Sequence, residues 1–275
     1  MTERAVRTAD GRTLSAVDGG SADPAALPVV WLGGSPQTGA LLEPVVVAAE
    51  ARGIRLVSYA RPSYGRSTPA PGRDVAAAAG DVASVADAFS LDRFAVVGYS
   101  GGGPHALACA ALLPGRVMGA VTLAGVAPYS DDIDWFAGMA APGGLRAARA
   151  GREARARYAE TEEFDGSSFT DTDWAALAGT WSALGDDANL AGSAGPDGLI
   201  DDDVAFAQPW NVDLGAAQAP VLLVQGGRDR IVPPSHAELL LRLLPNAELW
   251  LRPRAGHVAV LEGLPVALDW LRALF

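Results

Sequence analysis

The stretch Phe94–Leu113 reads FAVVGYSGGGPHALACAALL, and the order of its parts decides the fold. Its first four residues, Phe94–Val97, are continuously apolar and fit a strand buried on both faces of a parallel sheet. An apolar helical pattern runs from Pro104 to Leu113. Proline suits a first helical turn, where a missing N–H has no partner to lose. Between strand and helix stands Gly98-Tyr99-Ser100-Gly101-Gly102, a Gly-x-Ser-x-Gly nucleophile turn. So sharp a turn excludes large neighbours. It lifts Ser100 to the top of the sheet, beside helix N-terminal N–H groups that favour developing negative charge.

Outward from this stretch the same alternation recurs. Arg4–Val17 reads as a hairpin around Asp10-Gly11, followed by strands at Pro28–Leu32 and Ile54–Tyr59 with a helix from about Leu41 to Arg52. Asp74–Phe89 is an alanine-rich helix with Asp74 as its N-cap, and Val117–Ala124 is another strand. From Pro128 to Asp213 the rhythm stops. Four of the seven tryptophans fall there, with an Arg-rich helical segment at Leu145–Tyr158 and Gly/Asp-rich connectors. The alternation then resumes with strand Val221–Gln225, helix Ser235–Leu244, strand Ala247–Leu251 and helix Leu264–Phe275. This pattern predicts an α/β fold with a parallel sheet covered on both faces. Residues 1–127 and 214–275 form the core, and 128–213 a mostly helical insertion.

Bulk properties narrow the function. The chain has 275 residues, 49% of them hydrophobic, enough for a substantial core without covalent staples. Cys109 is the only cysteine, which excludes an internal disulfide and reads as a small buried residue. The N-terminus MTERAVRTADGRT lacks an apolar core of the signal-peptide kind, and no run is long enough to span a membrane, so a soluble cytoplasmic protein is expected. A net charge of −11 argues against nucleic acid as a partner. The insertion carries seventeen Asp or Glu against five Arg, while the remainder of the chain is close to neutral. That excess reads either as a solvated surface or as a field that disfavours anionic substrates.

A serine nucleophile needs a base, and the base needs a group that holds its tautomer. Of the three histidines, His105 and His236 sit at helix starts and read as structural. His257, in Arg254-Ala255-Gly256-His257-Val258, lies just past the last strand. Asp229, in Gly226-Gly227-Arg228-Asp229, follows the strand Val221–Gln225 at the same carboxyl edge, where open parallel sheets keep their sites. The chain order is therefore Ser100, Asp229, His257. No metal-ligand spacing or phosphate-binding glycine loop opens a helix, so neither metal nor cofactor is expected.

Three of these stretches, GYSGG at 98–102, GGRDRIVP at 226–233 and Gly256-His257, together resemble the α/β-hydrolase fold superfamily, with the likeness extending over essentially the whole chain. Tyr59–Ser67, YARPSYGRS, is similar to its Asp-Arg-Pro-Gly-Tyr-Gly-x-Ser loop. Gly33-Gly34-Ser35-Pro36 is similar to its His-Gly-x-Pro loop, with Gly33 in place of the usual histidine and Ala60 in place of the usual aspartate. The resemblance implies an eight-stranded, mostly parallel sheet and a helical cap after the sixth strand. It also implies an oxyanion hole made by the N–H groups of Ser35 and Gly101. By the same likeness the chain would be a serine esterase acting on small to medium, largely apolar esters. Alternatives are an amidase resembling proline iminopeptidases and a ligand-binding protein on a hydrolase scaffold. Tyr99, Trp135, Phe136, Trp181 and Trp210 are the residues expected to line an apolar substrate pocket.

Overall fold

Eight strands hydrogen-bond into one sheet in the computed structural model, which describes residues Met1–Phe275. In chain order they are β1 (Thr2–Arg7), β2 (Thr13–Gly20), β3 (Leu27–Leu32), β4 (Ile54–Tyr59), β5 (Phe94–Tyr99), β6 (Val117–Leu123), β7 (Val221–Gly226) and β8 (Ala247–Arg252). Their spatial order is β1-β2-β4-β3-β5-β6-β7-β8. β2 runs antiparallel to both of its neighbours, and from β4 to β8 every pairing is parallel. Consequently β3 to β8 all point their carboxyl ends at one edge.

The inner strands are apolar throughout because both of their faces are covered. Val30 and Leu32 of β3, with Phe94 and Val96 of β5, enter one core cluster. Val29, Trp31, Ala95 and Val97, the residues between them, enter the other. Helices α1 (Glu43–Glu50), α2 (Ala77–Ala88) and α3 (Gly102–Leu112) connect β3 to β4, β4 to β5 and β5 to β6. Asp74 accepts a hydrogen bond from the Ala77 N–H at 2.9 Å, so it caps the turn that leads into α2. Nearly all of α3 is buried, which is why its sequence shows no polar face.

Between β6 and β7 the chain forms α4 (Gly143–Arg149), α5 (Arg152–Ala159), α6 (Asp171–Leu177), α7 (Ser182–Ser193) and α8 (Asp197–Ala207). The single helical segment expected over Leu145–Tyr158 is two helices, broken at Gly151 with φ of +99°. α9 (Pro234–Leu243) and α10 (Leu264–Arg272) complete the core. His236, at the start of α9, is fully buried. Its Nδ1 accepts from the Ala127 N–H at 3.2 Å and its Nε2 lies 3.0 Å from the Trp135 carbonyl, so a neutral imidazole ties the start of the insertion to the core.

Candidate active site

Ser100 follows β5 directly and adopts φ of +49°, a conformation that L-residues avoid outside tight turns. The close approach that permits it is visible at the flanking glycines. A Cβ on Gly98 would lie 2.3 Å from the Gly102 carbonyl oxygen, and one on Gly102 would lie 1.9 Å from the Leu32 carbonyl oxygen. Neither neighbour is a side chain that could move aside. Ser100 is partly exposed, whereas Asp229 and His257 are buried.

Ser100, Asp229 and His257 meet at the carboxyl edge of the sheet. The Ser100 Oγ lies 2.9 Å from His257 Nε2, and His257 Nδ1 lies 2.8 Å from Asp229 Oδ2. The other carboxylate oxygen, Oδ1, accepts the N–H groups of Ile231 and Val232, both at 2.9 Å. Asp229 therefore faces donors on both oxygens, which assigns the imidazole proton to Nδ1 and leaves Nε2 as the acceptor for the serine hydroxyl. Tyr99 packs behind the ring, with centroids 5.4 Å apart and its hydroxyl donating to the His257 carbonyl at 3.5 Å. Burial, with Asp229 nearby, pushes the Tyr99 phenol well above its usual value, so it stays neutral.

The loop after β3 passes beside Ser100. A Cβ on Gly34 would stand 3.4 Å from the Ser100 Cβ, and one on Gly101 would meet the Ser35 Oγ at 2.3 Å. The backbone N–H groups of Ser35 and Gly101 donate to no protein acceptor. The space that a side chain at position 33 would take is filled by Gln37, whose Oε1 accepts the Gly34 N–H.

Residues 28–264 match the alpha/beta hydrolase fold family. The chain belongs to that family. The pimeloyl-[acyl-carrier protein] methyl ester esterase of Neisseria meningitidis serogroup B is 31% identical over 198 residues, covering 69% of this α/β hydrolase and 70% of the relative. A non-heme chloroperoxidase of Streptomyces lividans is 34% identical over 125 residues, 45% of either chain. Among solved structures, a thermophilic esterase from Thermogutta terrifontis superposes with a TM-score of 0.73 at 23% identity, over 100% of this chain and 99% of the other.

The aromatic residues expected in a substrate pocket of this α/β hydrolase are placed unevenly. Tyr99 lies behind the imidazole, as described. Trp135 is buried edge-on to His236, and its indole N–H donates to the Ala127 carbonyl at 3.0 Å. Phe136 packs edge-on against Trp135, and the Arg146 guanidinium lies over the Phe136 ring at 4.2 Å from its centroid. Trp210 is buried and donates to the Phe206 carbonyl at 3.1 Å, and Trp181 is buried in the cluster that also holds Tyr99 and Val258. The aromatic side chain beside the nucleophile turn is Phe206, whose Cζ lies 3.0 Å from a Cβ built on Gly101.

Several residues that shape the site have no signal in the motifs. Asp173 of α6 accepts the N–H groups of Val258 and Ala259 at 2.7 and 2.9 Å, capping the turn that follows His257. A Cβ on Gly256 would strike that carboxylate at 2.0 Å, so the glycine before the histidine is what lets Asp173 in. Asp202 of α8 is fully buried and paired with Arg61 and Arg73. Burial opposes its charge, but the two guanidinium groups prevail and hold the carboxyl well below the usual range. His105 lies 3.8 Å from Asp202 without a hydrogen bond on either ring nitrogen, and burial lowers its pKa to about 4.

Proposed function

We propose that this chain is a serine hydrolase that cleaves small to medium, largely apolar carboxylic esters through an acyl-enzyme on Ser100. The observation that carries the reading is the continuous hydrogen-bonded line from Ser100 Oγ through both nitrogens of His257 to Asp229. His257 Nε2 takes the hydroxyl proton as Ser100 attacks the ester carbonyl, and Asp229 stabilises the imidazolium that forms. The oxyanion is held by the free N–H groups of Ser35 and Gly101, helped by the N-terminus of α3. His257 then returns the proton to the departing alkoxide, freeing the alcohol. A water molecule gives its proton to the same nitrogen and attacks the acyl group, releasing the acid and restoring Ser100.

Residues 128–213 act as a cap in this reading. Support comes from α8, which brings Phe206 against Gly101 and Asp202 against the Ser35 hydroxyl. Phe206 would then form an apolar wall for the acyl or alcohol group. The esterase names among the relatives agree with ester rather than amide chemistry.

The buried acidic residues of the insertion weigh against the aminopeptidase alternative. Asp201 is paired with Arg152, Asp202 with Arg61 and Arg73, and Asp203 with Arg155. Asp187 accepts the Thr38 N–H at 3.0 Å, and Asp173 is engaged by the turn after His257. None of these carboxylates is free to hold a substrate ammonium group. The test is a panel of p-nitrophenyl esters from acetate to octanoate beside aminoacyl p-nitroanilides, with Ser100→Ala as control. The expected result is Ser100-dependent turnover of the esters. Turnover confined to the anilides would contradict the ester assignment, and ester hydrolysis that survives Ser100→Ala would contradict the nucleophile.

A further inference from the structure

We infer that Arg61, held in place by Asp202 of α8, is a positioning residue for the oxyanion hole, setting the direction of the Ser35 N–H. The inference rests on the serine-hydrolase reading above. Arg61 follows β4, and its guanidinium lies under the loop after β3. Its Nη1 donates to the Gly33 carbonyl and its Nη2 to the Gly34 carbonyl, each at 2.6 Å. The Gly34 carbonyl and the Ser35 N–H belong to one planar peptide and point in opposite directions. A fork that fixes the carbonyl therefore fixes the donor on the far side. The positive guanidinium held against the carbonyl oxygen also polarises that peptide, which strengthens its N–H as a donor.

The other side of the guanidinium is secured from the insertion. Asp202 Oδ2 accepts from Nη2 at 2.6 Å, and Oδ1 lies 3.3 Å from Nε. Asp202 also accepts from the Tyr64 hydroxyl at 3.0 Å and from Arg73 at 2.7 Å. The Ser35 side chain joins the same network, accepting from Arg61 at 2.9 Å and donating to Asp202. The ion pair itself is closed to solvent, with the Arg61 side chain 5% exposed and the Asp202 side chain not at all. A guanidinium so buried, with rigid donors on two carbonyls and a carboxylate, has no alternative arrangement of equal quality. The loop lacks the family's usual histidine, and Gln37 fills the space at position 33 while Arg61 grips the two carbonyls of the same loop. Because Asp202 belongs to α8, docking of the insertion and alignment of the oxyanion donor are one event.

Arg61→Lys isolates the claim, since lysine keeps the charge but cannot grip two carbonyls and a carboxylate at once. With p-nitrophenyl butyrate as substrate, kcat should fall on the order of 10²-fold, as for loss of an oxyanion donor, while KM stays within threefold. Affinity for an aryl trifluoromethyl ketone, which forms a tetrahedral adduct with the serine, should fall by the same factor as kcat/KM. The pH midpoint of kcat/KM should not move, because His257 and Asp229 are untouched. Asp202→Asn should reproduce the pattern at about tenfold, and it serves where the lysine variant does not fold. Unchanged kcat in a folded variant, or a loss of kcat without a matching loss of ketone affinity, would overturn the positioning role. A wild type that neither hydrolyses the ester nor binds the ketone would overturn the serine-hydrolase reading itself, a different result from an active wild type with an unimpaired Arg61→Lys.

Discussion

Asp229 has two tasks that a single substitution separates. Its Oδ1 is tied to the backbone at Ile231 and Val232, and its Oδ2 faces His257 Nδ1. Asp229→Asn keeps the shape but places an amide donor or a neutral acceptor opposite the imidazole, favouring the wrong tautomer and removing the charge that stabilises the imidazolium. Ester turnover should fall roughly 10³- to 10⁴-fold at neutral pH with thermal stability little changed. Steady-state kinetics beside a melting curve checks both halves. The nucleophile turn gives the opposite prediction at Gly102, where a Cβ would lie 1.9 Å from the Leu32 carbonyl oxygen. Gly102→Ala should cost about 3 kcal/mol or more, because backbone must move on both sides. Denaturant unfolding measures that loss, and a change under 1 kcal/mol would show the turn to be softer than its geometry implies.

At the scale of elements, α6 and the turn after His257 are joined by the Asp173 carboxylate. Asp173→Ala strands two buried N–H groups, at about 2–4 kcal/mol. It also releases the segment that carries His257, so kcat should fall about tenfold or more, in the range typical of lost positioning. Hydrogen exchange at Val258 and Ala259 would rise with it, and unchanged protection there would contradict the link. Such couplings separate what could be read in the chain from what could not. Strand β5, the serine turn and α3 are contiguous, so their periodicities and glycines are visible in one window. Asp229 and His257 are legible because each follows a strand at a predictable edge. Asp173 and Asp202 are ordinary acidic residues in acidic surroundings until tertiary packing places α6 against the His257 turn and α8 against Arg61. The break at Gly151 was hidden by the flanking alanines and arginines, which suit a helix on either side of it.

For the molecule as a whole, the acidic excess of residues 128–213 is partly internal. Asp173, Asp187, Asp201 and Asp202 are buried and accept hydrogen bonds from groups outside residues 128–213, so they hold the insertion to the core rather than forming a solvated skin, while buried Asp203 pairs with Arg155 within the insertion. Asp202, whose carboxyl the Arg61 and Arg73 guanidinium groups hold well below the usual range against the cost of burial, contributes stability that is present at neutral pH and lost in acid as pH falls through its folded value. His236 adds a defined contribution, since burial lowers its pKa from 6.5 to about 4 and its Nδ1 must stay unprotonated to accept from Ala127. The unfolded chain takes up that proton below about pH 6.5 while the folded state refuses it until about pH 4, so stability is complete above this window and lost as pH falls through it. His236→Gln should flatten the decline by as much as about 3 kcal/mol, read from urea unfolding at pH 7 and pH 4. The central claim is that one partly exposed serine is activated by a buried histidine–aspartate pair. Fluorophosphonate labelling followed by peptide mass analysis tests it most directly. The label should sit on Ser100 alone, disappear in Ser100→Ala and form far more slowly in His257→Ala. An unlabelled wild type, or a label that persists in Ser100→Ala, would contradict it.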